Sequence, residues 1–91
     1  MLTPKLSRQA EKSLKNAPKD IRARLVVQIQ QLSIEAEDPR SIELRGLAPW
    51  RRLKVGEFRI IYHVDGDDLL IGAIGKRNDD EIYRSVKRIL G

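Results

Sequence analysis

The apolar positions of this chain follow a helical period in its first half and a strand period in its second. Through RQAEKSLKNA, Ala10, Leu14 and Ala17 recur at helical spacing, and Ser7 stands before them as an N-cap, which predicts a short helix. Pro18 stops it. Because proline is tolerated in the first turn of a helix, Pro18 also opens a longer one, with Ile21, Leu25, Ile29 and Leu32 as its apolar stripe and Arg22, Arg24, Gln28, Gln30 and Gln31 on its polar face. Asp38-Pro39 is expected to break this second helix, since a residue before proline is pushed out of the α region. Leu2 to Leu6 reads as a short first strand that Pro4 restricts to a sheet edge, or to no strand at all. Ser41 to Leu44 is a candidate short extended piece, and Gly46 to Pro49 a turn.

The second half alternates. Trp50, Arg52 and Lys54 share one side of a predicted strand and Leu53 and Val55 the other. In the next run, Phe58 to Val64, a period of two separates Phe58, Ile60, Tyr62 and Val64 from Arg59, Ile61 and His63. Asp65-Gly66 tolerates the positive φ angles of a tight hairpin, so this run should fold back antiparallel onto Leu69 to Ile74. LLIGAI is nearly continuous in apolar residues, as suits a central strand covered on both faces, and Gly72 and Ala73 leave room for a close neighbour. Gly75-Lys76-Arg77 then puts a cation pair at the sheet's rim. Asn78 to Glu81 reads as an N-cap with a Glu at N3, followed by a helix with Ile82, Val86, Ile89 and Leu90 on one face and Tyr83 off that stripe.

Two helices with almost no linker form an αα-hairpin whose apolar stripes need a sheet to cover, and the second half supplies it. The expectation is an α+β fold: an N-terminal αα-hairpin packed on a mainly antiparallel sheet of about four strands, with a C-terminal helix, as one domain over residues 1–91. Composition then narrows the function. With no cysteine, disulfides and thiolate-bound metal are excluded. The amino terminus lacks the apolar core of a signal peptide and no run is long enough to span a bilayer, so a cytoplasmic protein without a membrane partner is expected. Eighteen Lys and Arg against 13 Asp and Glu leave a formal charge of +5, which favours an anionic partner, either nucleic acid or an acidic protein segment.

The element order, with WRRLKVGEFRIIY and IGKRNDDEIYRSVKRIL as its most telling segments, resembles the RelE branch of the RelE/ParE toxin superfamily. The resemblance covers the whole chain, by pattern only in the helices. It implies a toxin of a type II toxin–antitoxin pair, an endoribonuclease that enters the ribosomal A site, beside 16S rRNA, and cuts mRNA there. A cognate antitoxin would hold it inactive in a hetero-oligomer. The branch works without metal or cofactor, through basic residues and a tyrosine, and these match Arg52, Lys54, Arg59, Arg77 and Tyr83. Arginine at 52, where some members carry lysine, suits a phosphate clamp better than a proton acceptor.

Cutting RNA through its own 2′-hydroxyl requires a base, positive charge on the crowded phosphorane and an acid for the leaving 5′-oxygen. Lys54 is the base candidate, because a lysine beside several arginines gives up its proton more readily. The arginines hold the phosphate, with Arg77 on the leaving-group side, and Tyr83 stacks on a base, orients the 2′-hydroxyl or shares in proton transfer. Lys76, Trp50 and Arg51 are the further RNA-binding candidates.

Each selection has a plainer rival. Arg52 and Lys54 also read as a solvated strand face, Lys76-Arg77 as a strand end, Tyr83 as half-buried packing and Trp50 as core or rim. Arg59 either pairs with a carboxylate such as Glu57 or opens onto a cleft. His63, the lone histidine, reads as structural, and Asp65, Asp67 and Asp68 are explained by the hairpin without a metal. Two other functions compete: a ParE-like toxin that cuts nothing and inhibits a protein target such as DNA gyrase, and a decayed toxin that only binds its antitoxin.

Overall fold

The computed structural model describes residues 1–76, 82–84 and 86–87. Its elements follow in the order β1 (Thr3–Leu6), α1 (Arg8–Asn16), α2 (Lys19–Ile34), β2 (Ile42–Glu43), β3 (Arg51–Val55), β4 (Phe58–Asp65) and β5 (Asp68–Lys76). Residues 82–84 and 86–87 are helical. The predicted cap at Asn78 to Glu81, Arg77, and the apolar positions Ile89 and Leu90 lie outside the described residues.

Ser7 opens α1 as its chemistry suggests: its Oγ accepts from the Ala10 amide at 3.1 Å and donates to the Gly72 carbonyl at 2.7 Å, so one hydroxyl caps the helix and ties it to β5. Gln9 extends that tie. Its side-chain amide donates to the Ile74 carbonyl at 2.9 Å and accepts from the Ile74 N–H at 3.0 Å, taking the place of a neighbouring strand where β1 has ended. Pro18 is the N-cap of α2, and Leu25, Ile29 and Leu32 are buried as predicted.

The helix ends four residues before Asp38, a departure from the expectation that Asp38-Pro39 breaks it. Tertiary bonds stop it sooner: the Leu2 amide takes the Ser33 carbonyl at 2.8 Å and the Tyr62 hydroxyl takes the Ala36 carbonyl at 3.1 Å, leaving Glu35 extended. Beyond it Arg40 donates to both Asp38 carboxylate oxygens, from Nε at 3.1 Å and Nη2 at 2.7 Å. These bonds hold the Asp38 carboxyl below its ordinary range.

The sheet has five strands in the order β1-β5-β4-β3-β2, one more than expected because Ile42–Glu43 pairs with Arg51 and Arg52. β1 lies at the edge and runs parallel to β5, while the other pairings are antiparallel. The β3–β4 and β4–β5 hairpins each turn on two residues. Gly56 and Gly66 have φ of 59° and 60° and among the described residues no other residue type has a positive φ, so each turn has the φ pattern of type II′, which needs glycine at its first central position. A bulge at Ile61/Tyr62 leaves Gly72 unopposed.

The sheet buries both faces. One carries Leu53, Val55, Phe58, Ile60, Tyr62, Leu69, Ile71 and Ile74 against α1 and α2. On the other, Trp50, Ile61 and Ala73 pack with Leu44 and with Ile82 and Val86 of the helical segment. β5, between β1 and β4, is thus an interior strand covered on both faces. Each fully buried side chain such as Leu25, Leu53 or Ile60 contributes about 1.5–3 kcal/mol.

Candidate active site

Alternation along β3 turns Arg52 and Lys54 away from α1 and α2, and alternation along β4 sends Arg59 to the same side. The register sets Lys54 directly opposite Arg59, and Arg52 opposite Ile61. Side chains directly opposed in an antiparallel pair have Cβ atoms about 4.5–5.5 Å apart, and like charges there destabilise the pair. An anion lying across the two cations would offset that repulsion.

Arg59 is 9% exposed, and its Nη1 donates to the Phe58 carbonyl at 3.0 Å and the Gly56 carbonyl at 3.1 Å. Its guanidinium is therefore braced on the β3–β4 turn. Among the described residues no carboxylate, Glu57 included, forms an ion pair with it. Lys54 is exposed and Arg52 half-buried. Tyr83 reaches the same face from the helical segment: its ring packs at the margin of the second core, and its hydroxyl accepts from Arg52 Nη1 at 3.5 Å, the long limit of a hydrogen bond. Strand β3, strand β4 and the helical segment thus bring Arg52, Lys54, Arg59 and Tyr83 to one face.

The remaining candidates are placed otherwise. Arg51 points to the opposite face, where Nε donates to Ser41 Oγ at 2.9 Å and Nη2 to the Ser41 carbonyl at 3.0 Å; it secures the loop before β2 and does not join the cation set. Lys76 stands opposite Phe58, on the helix side, in a cleft with Lys12, Ser13 and Asn16. Trp50 is 2% exposed, so its ring is core and not a stacking platform. A β-carbon on Gly72 would stand 2.7 Å from its Cζ3, which makes Trp50 the close neighbour that the small residues of β5 admit. His63 meets Trp50 edge-on at 5.4 Å between ring centroids, a packing role. Arg77 lies outside the described residues. The turn at Gly56-Glu57, which braces Arg59, was not among the sequence predictions, although a Gly-X pair between two alternating runs is the signal for it.

Comparisons with known proteins agree with this architecture. A mutant of the Escherichia coli RelE toxin in the free state superposes with a TM-score of 0.80 at 20% identity, over 97% of each chain. The RelBE2 toxin–antitoxin complex from Mycobacterium tuberculosis matches with a TM-score of 0.72 at 25% identity, over 84% of this chain and 98% of that one. An archaeal RelE–RelB complex from Pyrococcus horikoshii matches with a TM-score of 0.69 at 25% identity, over 85% and 96%. No protein with a curated description matches the chain. The sequence profile of the ParE toxin of type II toxin–antitoxin systems matches residues 5–81. On that match, and with RelE toxins as its structural likenesses, the chain belongs to the ParE toxin family of the RelE/ParE superfamily and is a toxin of a type II toxin–antitoxin system.

Proposed function

We propose that this toxin is a metal-independent endoribonuclease that cuts mRNA in the ribosomal A site. The observation that carries the reading is the grouping of three cations, Arg52, Lys54 and Arg59, on one face, with the Tyr83 hydroxyl 3.5 Å from Arg52. The RNA 2′-oxygen attacks the adjacent phosphorus, forming a cyclic phosphate as the bond to the 5′-oxygen breaks. Lys54 takes the 2′-hydroxyl proton, and Arg52 and Arg59 stabilise charge on the phosphorane. Arg77, assigned from the family resemblance, and Tyr83 serve the leaving 5′-oxygen, which takes up a proton. The complexes among its structural likenesses support a cognate antitoxin as partner, docking through an acidic and apolar segment in a hetero-oligomer. Among the described residues no helix is long and apolar enough to cross a membrane, and the site of action proposed is the cytoplasm.

The test is purified toxin added to ribosomes programmed with mRNA, in chelator. Cleavage that Lys54→Ala and Arg59→Ala abolish is the expected result, and cleavage unchanged by both variants rejects the site. The match to the ParE profile favours a second reading, inhibition of a protein target such as DNA gyrase. Induced expression separates the two: cut transcripts support the nuclease, while intact mRNA with stalled replication supports the alternative.

A further inference from the structure

β2 covers only the first two residues of β3, so the outer edge of β3 from Leu53 onward has no strand partner among the described residues. In a two-residue hairpin the residues flanking the turn exchange both backbone hydrogen bonds, and the pattern then alternates. Val55 and Leu53 therefore bond to β4, and Lys54 turns its N–H and carbonyl outward. The same parity appears upstream, where the Trp50 carbonyl accepts from the Leu44 amide at 2.9 Å.

Lys54 faces a groove of about 300 Å³ between that edge and α2, lined also by Arg24, Val27, Gln28, Arg40 and Gly56 and by no carboxylate among the described residues. Arg40 brings little net charge, because Asp38 takes two of its donors and Gln28 another at 2.9 Å. Arg24 is different. It is exposed, makes no ion pair among the described residues, and lies over the β3–β4 turn, where a β-carbon on Gly56 would stand 3.2 Å from its Nη1 and 3.5 Å from its Nη2. Arg59 grips the same turn by the Gly56 carbonyl. One two-residue turn thus separates a guanidinium in the groove from a guanidinium at the candidate active site, with Lys54 common to both.

We infer that this groove is a second RNA-backbone site: it binds a phosphate flanking the one that is cut, through the Arg24 guanidinium and the Lys54 backbone N–H. The inference rests on the nuclease reading for the identity of the strand, and it makes Arg24 a determinant of RNA affinity and not of the chemical step. The Arg24 guanidinium, unpaired among the described residues, the outward N–H and the absence of lining carboxylates there suit a phosphodiester.

The test compares Arg24→Ala, Arg24→Glu and Arg24→Lys with Lys15→Glu, an exposed lysine on α1 whose replacement changes net charge as much as Arg24→Glu does. Cleavage on programmed ribosomes is followed against toxin and salt concentration. Arg24→Ala should raise the half-maximal toxin concentration about fivefold and lower the log–log salt slope by about one, the signature of one lost phosphate contact. Arg24→Glu should raise it further, Arg24→Lys should recover most of the loss, and saturating rates and Lys15→Glu should stay near wild type. An equal loss in Lys15→Glu, a loss confined to the saturating rate, or weakened antitoxin binding with unchanged cleavage overturns the proposal. If wild type cuts nothing, the nuclease reading falls, and binding of a fully 2′-O-methylated single-stranded RNA decides the groove separately. Tighter binding by wild type than by Arg24→Glu upholds it, and equal binding ends it.

Discussion

The hydroxyl of Tyr83 lies 3.5 Å from Nη1 of Arg52, linking the helical segment after β5 to the cationic side of β3. A bond that long and half-buried adds little to folding, so Tyr83→Phe should change stability by less than about 1 kcal/mol. With the hydroxyl serving the leaving 5′-oxygen, cleavage by Tyr83→Phe on programmed ribosomes should fall at least about tenfold, equivalent to roughly 1.4 kcal/mol of barrier. Parallel rate and thermal-melt measurements check both; a variant that loses stability but no activity makes Tyr83 a packing residue.

Arg59 carries structure and chemistry together. Its two bonds to the turn carbonyls involve a charged donor, for which truncation costs about 1.5–3 kcal/mol. Arg59→Ala should accordingly lower the denaturation midpoint and abolish cleavage. Arg59→Lys, which keeps the charge but not the planar fork, should recover part of the stability and little of the rate.

Gly72 should tolerate no side chain. With Trp50 Cζ3 2.7 Å from the position of an added β-carbon, Gly72→Ala forces a buried indole to shift, an overpacking penalty of about 1–3 kcal/mol. Urea denaturation followed by the fluorescence of Trp50, the one tryptophan in the chain, measures it directly.

Asp38 should give a pH signature. Its carboxyl sits below the ordinary value because Arg40 bonds the charged form, so its contribution is complete above the unfolded-state pKa and is lost as pH falls through the lower folded-state value. The stability gap between wild type and Asp38→Asn should therefore be constant at neutral pH and close in acid below the usual carboxylate range. A gap that instead widens in acid contradicts the assignment.

Local chemistry made most of this fold legible. Ser7, Pro18 and Gly66 mark boundaries through backbone effects that need no tertiary partner, although the hairpin turns on Gly66-Asp67 and not on Asp65-Gly66, and period-two alternation correctly separates Arg52, Lys54 and Arg59 from the helix-facing residues. That alternation also turns Arg51 to the opposite face, where it bonds Ser41. Lys76 was harder, because the bulge that leaves Gly72 unopposed shifts the parity of everything after it in β5, and a bulge has no clear sequence signal in an apolar run. The early end of α2 depends on partners at Leu2 and Tyr62, distant in the chain, which local propensity does not register.

The side chains of Ser7 and Gln9 that occupy the free edge of β5 have a consequence for self-association. Beyond them β1 is only four residues long and contains Pro4, which has no N–H to offer, so this flank is a poor template for another strand. A sheet that can be extended from one flank alone can join edge-to-edge with a single mate and has no second edge from which a filament could propagate.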